Sequence, residues 1–558
     1  MTESALAIPT RPATPLACSS RVVSLRPSGW TLFALGIAAL VLIPVVVTLS
    51  SFSQIDGELL GHLAEFVLPE LLGNTLWLVL GVGVGVTVLG VSLAWLTAMC
   101  EFPGRAFFDW ALLLPLALPA YVTAFVAIGL LDFTGPLQTL LREQWGLSGF
   151  PEIRSRGGVI LVMSLALYPY VFLIARNAFA TQGAIALEAA QSLGLSRTQG
   201  FFRVALPMAR PWIAAGLMLA LMETLADFGT MAVFNYDTFT TAIYKAWYSL
   251  FSLAAAAQLA SILIVFVLVM VVIEQRSRLH MRYGSVGRAS ASRRITLTRG
   301  RAGLATLYAA LILALAFVIP VIQLTLWARE VMAADLDARY ASFAWHSLLL
   351  AGGGALLVVI VALLLGYAGR QRPQPTMVWI QRVATLGYAF PGAVLAVGFY
   401  IPVAALDNVI IDLLARFGIE THAVLKGTLA VMLLAYLVRF LAVGFGPLDS
   451  GLNRITRSID EAARNLGTGS GGLLTRVHLP MLRTSLLTAA VLVFVDIMKE
   501  MPITLMTRPF GWDTLAIRVF EMTSEGEWER AALPSLAIVI AGIIPILLLT
   551  WRGSHSHG

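Results

Sequence analysis

The chain has 558 residues, of which 58% are hydrophobic and only 12% charged, and its mean hydropathy is +0.83. A soluble globular domain carries roughly 25% charged residues, so a soluble enzyme, a nucleic-acid binder and a disordered scaffold are excluded. The 38 Lys and Arg against 31 Asp and Glu leave a net charge of +7, and the two cysteines, Cys18 and Cys100, provide neither a disulfide framework nor a metal cluster. The composition is that of an integral membrane protein.

Residues 1–29 are polar and rich in Pro, Ser and Thr, and read as a disordered tail. A transmembrane helix needs about 20 largely apolar residues, and about twelve such stretches follow. Six lie in the first half, at 30–50, 74–99, 107–131, 157–178, 212–234 and 255–273. Six more lie at 302–327, 345–368, 378–402, 426–447, 484–506 and 532–551. The first contains Pro44 and is followed by the polar run Ser50 to Asp56 without a small-residue cleavage site, so it is expected to be retained as a helix. Pro115, Pro119 and Pro391 mark stretches that are expected to be broken. Gly81, Gly83, Gly85 and Gly90 form a small-residue face that predicts close helix packing. No stretch alternates with period two, which excludes a membrane barrel.

Basic loops stay in the cytoplasm. Most of the Lys and Arg fall in the tail, in 100–106, 176–211, 274–301, 369–377 and 448–483, and at the C-terminal end. With twelve spans both termini are then cytoplasmic. The densest basic run, from Arg276 to Arg301, reads as a solvated linker holding topology, with a lipid or nucleic-acid site as the alternative. The expected division is a tail 1–29, a first membrane domain 30–273, a basic linker 274–301, a second membrane domain 302–551 and a tail 552–558.

The two halves repeat each other. Glu188-Ala-Ala-Gln-Ser-Leu-Gly194 matches Glu461-Ala-Ala-Arg-Asn-Leu-Gly467, and Arg203-Val-Ala-Leu-Pro-Met-Ala-Arg210 matches Arg476-Val-His-Leu-Pro-Met-Leu-Arg483 in the same register. Each repeat follows four apolar segments and precedes two, so the halves enter the membrane in the same direction and are related by an axis along its normal. Glu, Ala, Ala and Leu predict a short helix that the Gly ends. A second short helix is expected to run on to Leu-Pro, where Pro opens the next helix or turn. Thr468, Gly469, Gly471 and Gly472 predict a second loop more flexible than the first. The bland alternative is an amphipathic helix lying on the membrane.

Glu-Ala-Ala, a Gly six residues after the Glu, an aliphatic residue ten further on (Val204, Val477) and then Leu-Pro resembles the cytoplasmic loop signature of permease subunits of binding-protein-dependent ABC importers. The resemblance implies an all-α polytopic membrane protein of about twelve helices in two tandem, parallel six-helix repeats, like a type I importer permease in a bacterial inner membrane. It implies that the loops dock two ABC ATPase subunits through Glu188, Ala189, Ala190, Gly194, Leu206 and Pro207 and through Glu461, Ala462, Ala463, Gly467, Leu479 and Pro480. It also implies a substrate-binding protein on the outer side. Met222 to Phe234, Met498 to Phe510 and Trp512 to Ala516 resemble the fused permeases of ferric iron importers, with thiamine, polyamine and phosphonate permeases as relatives.

No Gly-x-x-x-x-Gly-Lys-Ser/Thr loop is present, so ATP is expected on a partner subunit and no cofactor on this chain. The chain is not expected to be an enzyme, and no metal-ligand set is assigned. Ionisable groups inside apolar spans are costly and call for a functional hypothesis. Glu223 and Asp227 lie four apart, on one helical face, and the repeat places Asp496 and Glu500 at the matching positions. These four acids are candidates for the translocation path of a hard cation. The alternative is that they pair with Lys499, Arg439 or backbone groups and merely hold helices together. An ion-coupled secondary transporter is the competing class, and the doubled docking loop argues against it.

Overall fold

The computed structural model describes residues 28–51, 61, 63–146, 151–279 and 294–555. Most of the expected N-terminal tail and residues 280–293 of the basic linker lie outside them, as does the end of the C-terminal tail. Backbone polar groups in hydrocarbon must be satisfied within the segment, and each apolar run is accordingly helical. Spans 1 to 6 centre on Gly29–Ser50, Leu68–Met99, Ala120–Leu131, Arg156–Ala178, Leu206–Ala226 and Leu253–Leu279. Spans 7 to 12 are Arg299–Asp335, Ala338–Gln371, Gly392–Arg416, Leu429–Arg454, Leu479–Met498 and Trp528–His555. Eleven helices among the described residues are long and apolar enough to cross a membrane, and the helix Trp528–His555, which is not one of the eleven, stands where the twelfth span was expected.

Four stretches are interrupted: the two marked by Pro115, Pro119 and Pro391, as expected, and two that were expected as unbroken spans. The stretch 107–131 divides into Arg105–Ala111, a tight turn at Leu114–Ala117 and Ala120–Leu131, and 378–402 divides in the same way around Leu386–Ala389. Pro115 and Pro119 in the first half and Pro391 in the second remove the amide hydrogens a continuous helix would need. The other two breaks fall after Ala226 and after Met498, each followed by a six-residue helix, Gly229–Phe234 and Pro502–Thr507. Asp227 therefore stands beyond the end of its helix and does not share a regular face with Glu223.

The second short helix of each loop is also not separate. Arg197–Gly200 runs into span 5 through a wide turn at Phe201–Ala205, and the second half repeats this at Leu473–His478. A proline ring clashes with the carbonyl four residues earlier. The extra residue of a π-turn placed just before Pro207 and Pro480 relieves that clash and lets the helix continue.

The packing follows the repeat. Span 2 lies along span 4 as span 8 lies along span 10, and spans 5 and 11 pack on these pairs. Span 1 packs on the helices around span 9 of the other half, whereas span 7 packs chiefly on span 12 of its own half and also touches span 3. Two glycines permit this approach. A Cβ on Gly398 would lie 2.5 Å from the Pro44 carbonyl oxygen, and one on Gly129 would lie 2.5 Å from the Trp327 ring. Of the glycine face on span 2, Gly81, Gly85 and Gly90 meet Ile160, Ser164 and Val171 of span 4, whereas Gly83 faces Leu221 of span 5. After the linker, Ile295–Thr296 pairs in parallel with Cys100–Glu101, tying the start of the second half to the first.

Candidate functional site

The two repeated loops fold alike at their turns. The helix Ala184–Ser192 ends at Gly194 with φ +83°, and Arg457–Asn465 ends near Gly467 with φ +82°. In each, the glycine N–H bonds back three residues and the next N–H bonds back five: Gly194 to Gln191 and Leu195 to Ala190, Gly467 to Arg464 and Thr468 to Ala463. This is the Schellman arrangement, which requires a left-handed residue at that point. Glu188, Glu461 and Ala462 are exposed, while Ala190 and Ala463 are buried inward. Leu206 and Pro207 are half-buried, and Leu479 and Pro480 are exposed.

The loops differ in how they are anchored. In the first, Leu187 is buried against Gly200, and Trp95, Phe179 and Phe201 cluster beneath with centroids 4.5 Å and 5.3 Å from Trp95. In the second, the residue matching Leu187 is Asp460 and the residue matching Ala205 is His478, both buried. Arg370 at the end of span 8 donates to both Asp460 oxygens at 2.7 and 2.9 Å, and also to the Leu452 and Thr456 carbonyls at 2.7 and 3.3 Å. His478 Nε2 donates to Asp460 Oδ1 at 2.9 Å. Burial alone would raise the Asp460 carboxyl, but the bonds from Arg370 and His478 hold it below the usual aspartate range.

All four membrane acids border one cavity of about 140 Å³ where the halves meet. Each is engaged differently. Glu223 Oε1 accepts from the Tyr388 hydroxyl of the other half at 2.7 Å. Asp496 pairs with Lys499 at 2.8 Å. Asp227 caps Gly229–Phe234 through Thr230, whose N–H donates to Oδ1 at 2.7 Å. Glu500 caps the matching helix, with Oε1 accepting from the Ile503 N–H at 3.1 Å. Arg439 donates to the Phe390 carbonyl. Sequence reasoning missed Tyr121, Tyr170 and Tyr388, which line the same cavity. Among the described residues no group of three or more His, Cys, Asp or Glu could hold a metal ion.

The comparisons with known proteins agree with the repeat. Residues 86–282 and 358–552 each match the family described as binding-protein-dependent transport system inner membrane component. The chain is 28% identical over 488 residues to the Fe(3+)-transport system permease protein FbpB 2 of Haemophilus influenzae, covering 86% of this chain and 90% of that one. It is 25% identical over 463 residues to the putative ferric transport system permease protein FbpB 1 of the same organism, covering 78% and 70%. A molybdenum transport system permease protein, ModB of Escherichia coli, is 31% identical over 163 residues, covering 29% of this chain and 70% of that protein.

Proposed function

The chain belongs to the family of binding-protein-dependent transport system inner membrane components, and from that premise we propose that it is the permease of an ATP-driven importer of ferric iron. The observation that carries the reading is the pair of repeated loops, each a short helix closed by a left-handed glycine at the same register. A self-contained transporter has no need of two such docking elements. Two ABC ATPases would seat on Glu188 to Gly194 and Glu461 to Gly467, with the Leu206-Pro207 and Leu479-Pro480 segments carrying their motion into spans 5 and 11. Both termini and the docking loops would face the cytoplasm, and a binding protein would deliver cargo on the outer side.

The choice of ferric iron rests on the ferric permeases similar to most of the chain. The acid-lined cavity between the halves supports a cationic cargo and is read as the translocation path. Alternating access would come from rocking one half against the other, which has to break the Glu223–Tyr388 bond that joins them. ATP would be bound by the partner subunits alone.

The test is reconstitution in proteoliposomes with the ATPase and the binding protein. Radioiron should accumulate only when ATP and both partners are present, and the purified chain alone should hydrolyse no ATP. Uptake driven by a proton gradient without the ATPase would replace the reading with a secondary transporter. ATP-dependent uptake of molybdate or a phosphonate, but not of iron, would keep the class and change the cargo.

A further inference from the structure

Asp227 and Glu500 occupy matched positions in the repeat, and each caps the short helix after a broken span, yet they are not equivalent. Both oxygens of Asp227 are used: Oδ1 accepts from the Thr230 N–H at 2.7 Å and Oδ2 from the Thr230 hydroxyl at 3.1 Å. The residue matching Thr230 is Ile503, which brings no hydroxyl. Glu500 spends only Oε1 on its cap, and its Oε2 has no hydrogen-bond partner among the described residues, although the residue is 6% exposed.

A second oxygen bordering the same cavity shares this condition. The Tyr121 hydroxyl is unpartnered in a residue 7% exposed. Tyr121 belongs to the first half and packs beside Gly229, whose other close neighbour is Met501 of the second half. The phenol and the Glu500 carboxyl thus belong to two residues that border the same cavity, one from each half. Buried polar atoms are rarely left unpaired; of the cations lining the cavity, Lys499 pairs with Asp496, and Arg439 donates to the Phe390 carbonyl and bonds neither of these two oxygens.

We propose that Glu500 Oε2 and Tyr121 Oη form a transient subsite for a hard cation in transit, while Glu223, Asp227 and Asp496 hold the shape of the path around it. A carboxylate and a phenol are hard oxygen donors, and the set suits a highly charged cation and repels an oxyanion. Two protein oxygens leave most of the ion's coordination sphere to water, which favours passage over retention. The inference rests on the importer reading given above.

The experiment measures ATP-dependent radioiron uptake by the full importer in proteoliposomes for Tyr121→Phe and Glu500→Gln. Tyr121→Phe removes an oxygen that bonds nothing in the described structure, and Gln keeps an oxygen for the Ile503 N–H, so a purely structural role predicts wild-type uptake from both. The subsite predicts a loss of about tenfold or more from each. Tyr436→Phe, which removes a hydroxyl bonded to Thr504 outside the cavity, is expected to transport normally. Wild-type uptake by Tyr121→Phe overturns the proposal, even if Glu500→Gln does not assemble. A wild-type importer that moves no iron with ATP and its partners overturns the importer reading instead, and one that moves only an oxyanion overturns the subsite.

Discussion

The two repeated loops make the same turn by the same hydrogen bonds, but one is cemented by apolar and aromatic side chains and the other by buried charge. In the first, Leu187 and the cluster of Trp95, Phe179 and Phe201 supply contacts without direction, and a capping box between Ser196 and Gln199 fixes the helix that follows. In the second, Gly469 and Gly472 stand where that capping box would be, so its second helix is uncapped. The docking helix before the turn is held by Arg370, which reaches Asp460, Leu452 and Thr456 at once. Apolar packing tolerates small shifts, whereas a bidentate charge pair fixes register. The repeat therefore keeps the geometry of the turn and lets its supports diverge.

Removing Arg370 should separate the two loops most sharply. Its side chain and that of Asp460 are only 12% and 11% exposed, and breaking such a pair costs about 3 kcal/mol because it strands a buried charge. Arg370→Met is expected to speed amide exchange across Arg457–Asn465 by about a hundredfold and leave Ala184–Ser192 unchanged. Adding Asp460→Leu and His478→Ala, which copies the first loop's apolar pair, should recover most of the protection. Equal loosening of both loops, or no recovery in the triple variant, would show that the charge network is not what holds the second helix.

The glycines should behave alike in spite of those different supports. Nothing lies within 4 Å of a Cβ built on Gly194 or Gly467, and both have φ near +82° to +83°. Gly194→Val and Gly467→Val therefore meet no steric clash with neighbours, only the cost of a left-handed backbone, about 1–2 kcal/mol. Each should weaken ATPase association measured by copurification about tenfold, with membrane insertion intact. A strongly unequal response would mean that anchoring, and not the turn, sets docking.

Much of this was legible in the sequence because hydropathy and register are local signals. Eleven of the expected twelve spans, their parallel repeat and the glycine-ended helices all follow from runs of residues read one after another. The breaks after Ala226 and Met498 were not legible, since Met222 to Phe234 is apolar enough to pass for one span. Their cause is side-chain capping by Asp227 and Glu500, which hydropathy does not register. The Arg370–Asp460–His478 network joins residues far apart in the chain. Its trace was the departure of Asp460 and His478 from the apolar residues Leu187 and Ala205 at matched positions. The tyrosines of the cavity left no trace, because nothing near Tyr121 or Tyr388 in the chain says which half will face it.

The smallest expected effect concerns acid. Asp460 lies outside the spans, and its carboxyl is held below the usual aspartate value by Arg370 and His478 against the opposing effect of burial. A carboxyl depressed in the folded state contributes stability that is fully present above its unfolded value of about 3.9. That contribution is lost as pH falls through the lower folded value. The second docking helix should accordingly keep its anchoring from neutral pH to about 4.5, and the first loop, with no charge in its anchor, should show no such step at any pH. The measurement is the protection of Arg457–Asn465 relative to Ala184–Ser192, corrected for the intrinsic pH dependence of amide exchange. A flat difference through that range, followed by a fall below about pH 4, supports control by Asp460. A difference that collapses near pH 6 would transfer control of the second loop to another group, and the anchoring assigned to Arg370 would have to be reassigned with it.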